Sequence, residues 1–283
     1  MKLILFLETL NLIFFIFISS CSSKKEQSKN KSIHFNAFAN ESYHSFLLSS
    51  SNEMPTLEKT FNHCYQGSID DALMVFEKKI KTLKDHSLYY NHVAHCFYMK
   101  KDFPKAVFFS KYVLSSSGNK IEKSSSLNLL GMIYFIQNRF GLSLNSFNQG
   151  LEINPESKVL RYNLALLHLR LNQPQEAINL LNPLEEFKDP LILYTLGFAY
   201  TISNNLNEAE RVFSKISEDE MKKSDWLLTY SAYLYLSNFL NQAKKNLAPL
   251  VSDKTNPHQP DSLILLKLIK SKELSLKTEK NPK

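Results

Sequence analysis

The sequence predicts an all-α protein, a right-handed α-solenoid of about six helical hairpins followed by a C-terminal capping helix. Three observations lead there. Within residues 124–157, Leu127, Leu130, Gly131 and Tyr134 fall at i, i+3, i+4 and i+7, one face of an α-helix; after a break at Asn138-Arg139, Ser143, Phe147 and Gly150 mark a second face, and Asn154-Pro155 closes the unit. The unit then recurs. A small residue opens each second helix at Ala72, Ala106, Ser143, Ala177, Ala209 and Ala243, at intervals of 34, 37, 34, 32 and 34 residues, the long interval holding the loop Ser115-Ser116-Ser117-Gly118-Asn119. Finally, the chain has only six glycines and no run of alternating β-branched residues, which argues against strands.

Each repeat carries the same furniture. Three residues before the marker stand Ile69, Phe103, Phe140, Pro174, Leu206 and Leu240, and four after it Phe76, Ser110, Phe147, Leu181, Phe213 and Leu247. In the first helices the pairs Val93-Ala94, Leu130-Gly131, Leu164-Ala165 and Leu196-Gly197 recur, with Tyr230-Ser231 in the last copy; small residues there let two helix backbones approach. This pattern resembles the tetratricopeptide repeat, whose signature is Trp-x2-Leu-Gly-x2-Tyr, then Ala-x3-Phe, then Pro, over about 34 residues. Leu127 stands where Trp is usual, Leu130-Gly131, Tyr134, Phe147 and Pro155 match, and Ser143 replaces Ala. The array is expected to span residues 53–252, with its first and last copies atypical, as terminal repeats are.

Ahead of the array, Lys2 precedes an apolar stretch, Leu3 to Ile18, too short and too interrupted by Glu8 and Asn11 for a membrane span, so residues 1–20 read as a secretory signal. The stretch ends Ile18-Ser19-Ser20-Cys21, which resembles the lipobox of bacterial lipoproteins; the resemblance implies that Cys21 is lipidated and becomes the first residue of the mature chain. Several acyl chains anchor stably where one does not. By the same resemblance, Ser22 and Ser23 after the cysteine imply an outer-membrane anchor facing the periplasm, with the inner membrane as the alternative. Residues 21–52 are rich in Ser, Lys and Asn and read as a flexible tether, with Tyr43, Phe46, Leu47 and Leu48 able to form a short docking helix. At the other end Asn256-Pro257-His258-Gln259-Pro260 breaks the chain before a capping helix at 259–277, in which Asp261-Ser262 supply the cap and Leu263, Ile264, Leu266 and Ile269 the buried face; residues 278–283 form a basic tail.

The net charge of +7 survives removal of the leader, which deletes one Lys and one Glu. Basic residues without interleaved aromatics in the tail read as a solubilising face, and export excludes nucleic acid as a partner. His63-Cys64 and His92-Val93-Ala94-His95-Cys96 place a His and a Cys one helical turn apart on equivalent helices, but no carboxylate joins them, so no metal or other cofactor is expected, and a metal-binding protein or enzyme using this cluster is the less favoured alternative. The favoured reading of Cys64 and Cys96 is two buried thiols, with a disulfide as the alternative in an oxidising envelope. Phosphate loops, a GxSxG elbow and paired carboxylates on a common face are all missing, which leaves neither an enzyme nor a small-molecule substrate.

What remains is a face for another protein. The tetratricopeptide resemblance implies a concave groove lined by the first helices, and carrying its positions over gives Asn91, His92, His95, Asn128, Met132, Tyr162, Asn163, Leu166, Arg170, Tyr194, Thr195 and Phe198. Asn offers a donor and an acceptor to a peptide backbone, and Tyr, Phe and Met offer adaptable apolar contact. The expected ligand is an extended segment or amphipathic helix, since the two-Lys, two-Asn clamp for a free C-terminus is missing. A lipid-tethered scaffold of this architecture is similar to the pilotin lipoproteins of type IV pili, which implies a role in secretin assembly; adaptors for cell-wall hydrolases or proteases are the alternative.

Overall fold

A computed structural model of the 283-residue chain describes Cys64 and residues 69–79, 86–116, 119–256 and 258–280. The expected leader, Cys21, the tether, the short helix at 43–48 and, apart from Cys64, the first helix of the first repeat lie outside the described residues.

Among those residues the regular elements are all helical: α1 (Ile69–Lys79), α2 (His86–Met99), α3 (Phe103–Ser115), α4 (Lys120–Ile136), α5 (Phe140–Ile153), α6 (Lys158–Arg170), α7 (Pro174–Leu181), α8 (Pro190–Ile202), α9 (Leu206–Phe213), α10 (Ser224–Leu236), α11 (Leu240–Ser252) and α12 (Gln259–Lys280), with short 3₁₀ turns at Asn182–Phe187 and Glu220–Lys222. The second helices α1, α3, α5, α7, α9 and α11 begin at Ile69, Phe103, Phe140, Pro174, Leu206 and Leu240, the six residues that the sequence period marks.

The turn that makes each hairpin has one chemistry. Lys101, Asn138, Asn172, Asn204 and Asn238, each two residues before a second helix, are in the left-handed region with φ between 57° and 66°. Asn tolerates that region better than most residues, which is why four of the five are Asn. The turn also satisfies the orphan carbonyls of the first helix in the pattern of a Schellman motif: Arg139 N donates to Tyr134 O at 2.8 Å and Asn138 N to Phe135 O at 2.9 Å, and the pair recurs at Gln173/Asn172, Asn205/Asn204 and Phe239/Asn238.

The chain divides into two compact units, one ending at Leu167 and one beginning at His168, inside α6. In the N-terminal unit α2 packs on α1 and α3, and α4 on α3 and α5. Its hairpin α4–α5 closes on Gly131: Phe147 is 1% exposed, and a Cβ on Gly131 would lie 2.4 Å from its ring. Burying such a ring contributes about 1.5–3 kcal/mol. Cys64 and Cys96 are joined in a disulfide, Cα–Cα 5.4 Å, inside a core that includes Phe76 and Tyr89. This overturns the reading of two thiols. A 34-residue period lays equivalent helices side by side, so cysteines 32 residues apart meet across neighbouring first helices.

In the C-terminal unit α8 packs on α7 and α9, α10 on α11, and α12 on α11. Gly197 faces Phe213 as Gly131 faces Phe147, and Trp226 stacks on Tyr230 at 4.7 Å. Helix α7 stops after eight residues because Pro183 has no amide to give and cannot continue it; a 3₁₀ turn follows. The last helix corrects three expectations. It runs three residues further than 277, into the expected tail. Asp261 and Ser262 lie within its first turn, where Ser262 Oγ donates to His258 O at 2.7 Å. Its fully buried apolar residues are Leu265 and Ile269, while Leu263 is exposed. Lys272 holds this helix to α10: its Nζ donates to Tyr235 O at 3.1 Å and lies 4.7 Å from the Tyr235 ring.

Candidate partner-binding face

The expected groove residues of the N-terminal unit lie on the first helices α2, α4 and α6, and there they meet each other. Asn91 and His95, four residues apart, share one face of α2, and both reach Ser125 at the start of α4: Ser125 Oγ donates to Asn91 Oδ1 at 3.4 Å and pairs with His95 Nε2 at 3.1 Å. One turn along α4, Asn128 accepts from Asn163 Nδ2 of α6 at 2.8 Å and points its own amide at the Met132 sulfur, 3.6 Å away. Sequence separations of 34 and 35 residues across these bonds reflect the repeat period. The result is a polar ladder that pins the register of three successive first helices.

Asn91, His92, His95, Asn128, Met132, Tyr162 and Asn163 are all buried, and the bonds of Asn91, His95, Asn128 and Asn163 cross between neighbouring first helices; Leu166 is half-buried. The crevice lined by Met132, Phe135, Phe147, Asn163 and Leu166 is too tight for a water molecule. Burial governs the two histidines. It pushes His92 down to about 3 and His95 down to about 4, although His92 Nδ1 donates to Leu88 O at 2.7 Å. Both are therefore neutral at pH 7. Glu122 is also buried; it closes a capping box with Asn119 at the start of α4 and accepts from Ser87 of α2. Ser87, Glu122 and Ser125 were missed as candidates. Ser125 lies one turn before Asn128, the residue one repeat after Asn91.

In the C-terminal unit Tyr194, Thr195 and Phe198 are buried on α8, and Arg170 is half-buried. Tyr194 donates its hydroxyl to Glu220 Oε2 at 2.8 Å and packs against Trp226, 5.7 Å between centroids; Thr195 donates back to Leu191 O at 2.8 Å. Among the described residues no group of three or more His, Cys, Asp or Glu is placed to hold a metal ion. Cys64 and Cys96, bonded to each other, have no thiolate to offer one.

A tetratricopeptide repeat model matches residues 124–157, the α4–α5 hairpin. Solved structures extend that likeness. A Pseudomonas aeruginosa PilF structure aligns over 72% of this chain and 93% of its own with a TM-score of 0.59 and 13% identity. The chain folds as a tetratricopeptide-repeat protein. Two further members have TM-scores of 0.51: YrrB, described as having an unusual peptide-binding site, at 20% identity over 69% of this chain and 97% of its own, and a repeat protein from Parabacteroides merdae at 16% identity over 83% and 98%. Comparison with curated proteins finds no match. In the N-terminal unit the first-helix residues Asn91, His95, Asn128 and Asn163 are therefore already engaged in hydrogen bonds between neighbouring repeats.

Proposed function

We propose that this protein is a non-catalytic scaffold, tied to the bacterial outer membrane through a lipidated Cys21, that holds another envelope protein on the first-helix faces of its repeats. The observation that carries the reading is the repeat array itself, a fold whose relatives include a protein with a peptide-binding site. The disulfide supports export, because such a bond persists in the periplasm and is rare in the cytosol. It agrees with the lipobox Ile18-Ser19-Ser20-Cys21. The architecture, about six repeats behind a lipidated cysteine, resembles that of the pilotin lipoproteins of type IV pili and makes support of secretin assembly the leading role, with the partner supplying an extended segment or an amphipathic helix.

The test is crosslinking in cells from Leu166 and Arg170, the two half-buried candidates, with identification of what is captured. A secretin trapped at either position supports the proposal; capture only of cell-wall hydrolases or proteases moves the role to an adaptor for those enzymes. If both positions trap nothing while outward positions such as Asn145 do, the first-helix faces are not the binding surface. Acyl labelling that persists in Cys21→Ala would remove the lipid tether from the reading.

A further inference from the structure

Equivalent residues of a repeat meet equivalent surroundings, so the array supplies its own control. Two residues after each marker stand Met74, Phe108, Asn145, Asn179, Arg211 and Lys245, and all six are exposed. The last four are polar, as an exposed position should be. Phe108 is 64% exposed, and one turn on Tyr112 is 42% exposed. Lys105 and Lys111 flank them, so that residues 105, 108, 111 and 112 form one stripe of α3, a helix with no acidic residue. Between residues 100 and 120 there are five lysines; Lys105 pairs with Asp102 at 3.0 Å and Lys100 with Asp70, which leaves Lys111, among the described residues, as the stripe's charge without a carboxylate in an ion pair and Lys105 as its shared one. The stripe is fixed from below. Phe108 meets Phe109 edge-on at 5.2 Å, Phe109 stacks on Phe97 and Tyr90 at 5.6 and 5.5 Å, and Tyr112 meets Tyr90 at 4.4 Å.

We propose that this stripe of α3 rests on the headgroup layer of an anionic bilayer, giving the N-terminal unit a second attachment to the membrane. Aromatic rings settle at the boundary between headgroups and acyl chains, and lysines beside them keep their charge in water while lying along apolar surface. The charge is complementary to anionic lipid. A protein partner fits less well, because protein interfaces are depleted in Lys and enriched in Arg, and the first Arg of this chain is Arg139. The proposal goes beyond the scaffold role and does not need the lipid on Cys21.

To test it, the full chain is reconstituted in phosphatidylcholine vesicles with or without phosphatidylglycerol, in a Cys21→Ser background. A fluorophore is placed on Ser115→Cys, exposed on the same stripe, or on Gln242→Cys, exposed on α11. Lipids with a headgroup nitroxide should quench the Ser115→Cys label in the anionic vesicles and leave the Gln242→Cys label bright. Lys105→Gln with Lys111→Gln should lower the docked-to-undocked ratio about thirtyfold, at about 1 kcal/mol per lysine, and salt should act in the same direction. Equal quenching at the two sites, or none at Ser115→Cys, overturns the proposal. So does a label that stays bright on vesicles but is covered by a crosslinkable protein in cell envelopes, because the face then belongs to that protein. Melting curves matching the parent chain show that the variants fold.

Discussion

Replacing Gly131 by Ala is expected to destabilise the N-terminal unit although alanine is the better helix former. The new methyl group would lie 2.4, 2.5 and 2.8 Å from three atoms of the Phe147 ring. That ring is 1% exposed and has little space to move into, and Ser143 Oγ, donating to Gly131 O at 2.8 Å, holds α5 to α4 at the same level. Overpacking of this kind costs about 1–3 kcal/mol. The gain in helix propensity offsets about 1 kcal/mol of it. With three ring atoms inside 3.0 Å the cost should lie in the upper part of that range, about 2–3 kcal/mol, leaving a net loss of about 1–2 kcal/mol, seen as a lower urea midpoint with unchanged slope. The chain itself suggests the rescue. Gly131 and Gly197 accompany Phe147 and Phe213, whereas Ala94, Ala165 and Ser231 accompany Ser110, Leu181 and Leu247 at the same two positions. Gly131→Ala with Phe147→Leu copies the Ala165 and Leu181 combination and should be more stable than Gly131→Ala alone. A neutral or stabilising single substitution, or a double variant no better than the single, would refute the packing argument.

Three further outcomes are expected. Acid should unfold the N-terminal unit through His92 and His95: held neutral in the fold and free to protonate in the unfolded chain near 6.5, they give full stability above that pH and lose it as pH falls toward about 4 and 3, so that at pH 4.5 each costs roughly 2.5 kcal/mol. Urea titrations at pH 7 and 4.5 on the protein and on a His95→Gln variant check this, and an unchanged pH slope in the variant would be evidence against it. Replacing both Cys64 and Cys96 by Ala should cost about 3–4 kcal/mol, as loop-closure entropy gives for a sequence separation of 32 residues, and the variant should no longer respond to reductant in a thermal melt. Asn163→Leu should destabilise by about 1–3 kcal/mol by leaving the buried Asn128 oxygen unpaired, whereas Asn128→Leu with Asn163→Leu should recover part of that loss.

The hairpins were legible because their signals are local. Small residues at fixed intervals and Asn in the turns report backbone geometry that the chain must adopt wherever it goes, and the six second-helix starts fall where the period puts them. What was not legible depends on side chains in different repeats. Whether Asn128 waits for a ligand or bonds Asn163 turns on the spacing between α4 and α6, which no periodicity encodes. On α12, apolar residues at 263, 264, 265, 266, 268 and 269 surround most of the helix, so the pattern could not say that Leu265 and Ile269 face inward and Leu263 does not.

The ladder also constrains how a partner can be held by the N-terminal unit. An incoming backbone would have to exchange bonds that Asn91, Ser125, Asn128 and Asn163 already make, and an exchange of one hydrogen bond for another returns little net free energy. Affinity must therefore come from apolar area at the ladder's edge, where Leu166 is half-buried. The ladder contributes selectivity in the opposite sense: a segment that opens it without matching donors and acceptors leaves buried polar groups unpaired, at about 1–3 kcal/mol each. A partner segment should accordingly present an apolar residue toward Leu166 and leave the Asn128–Asn163 bond closed.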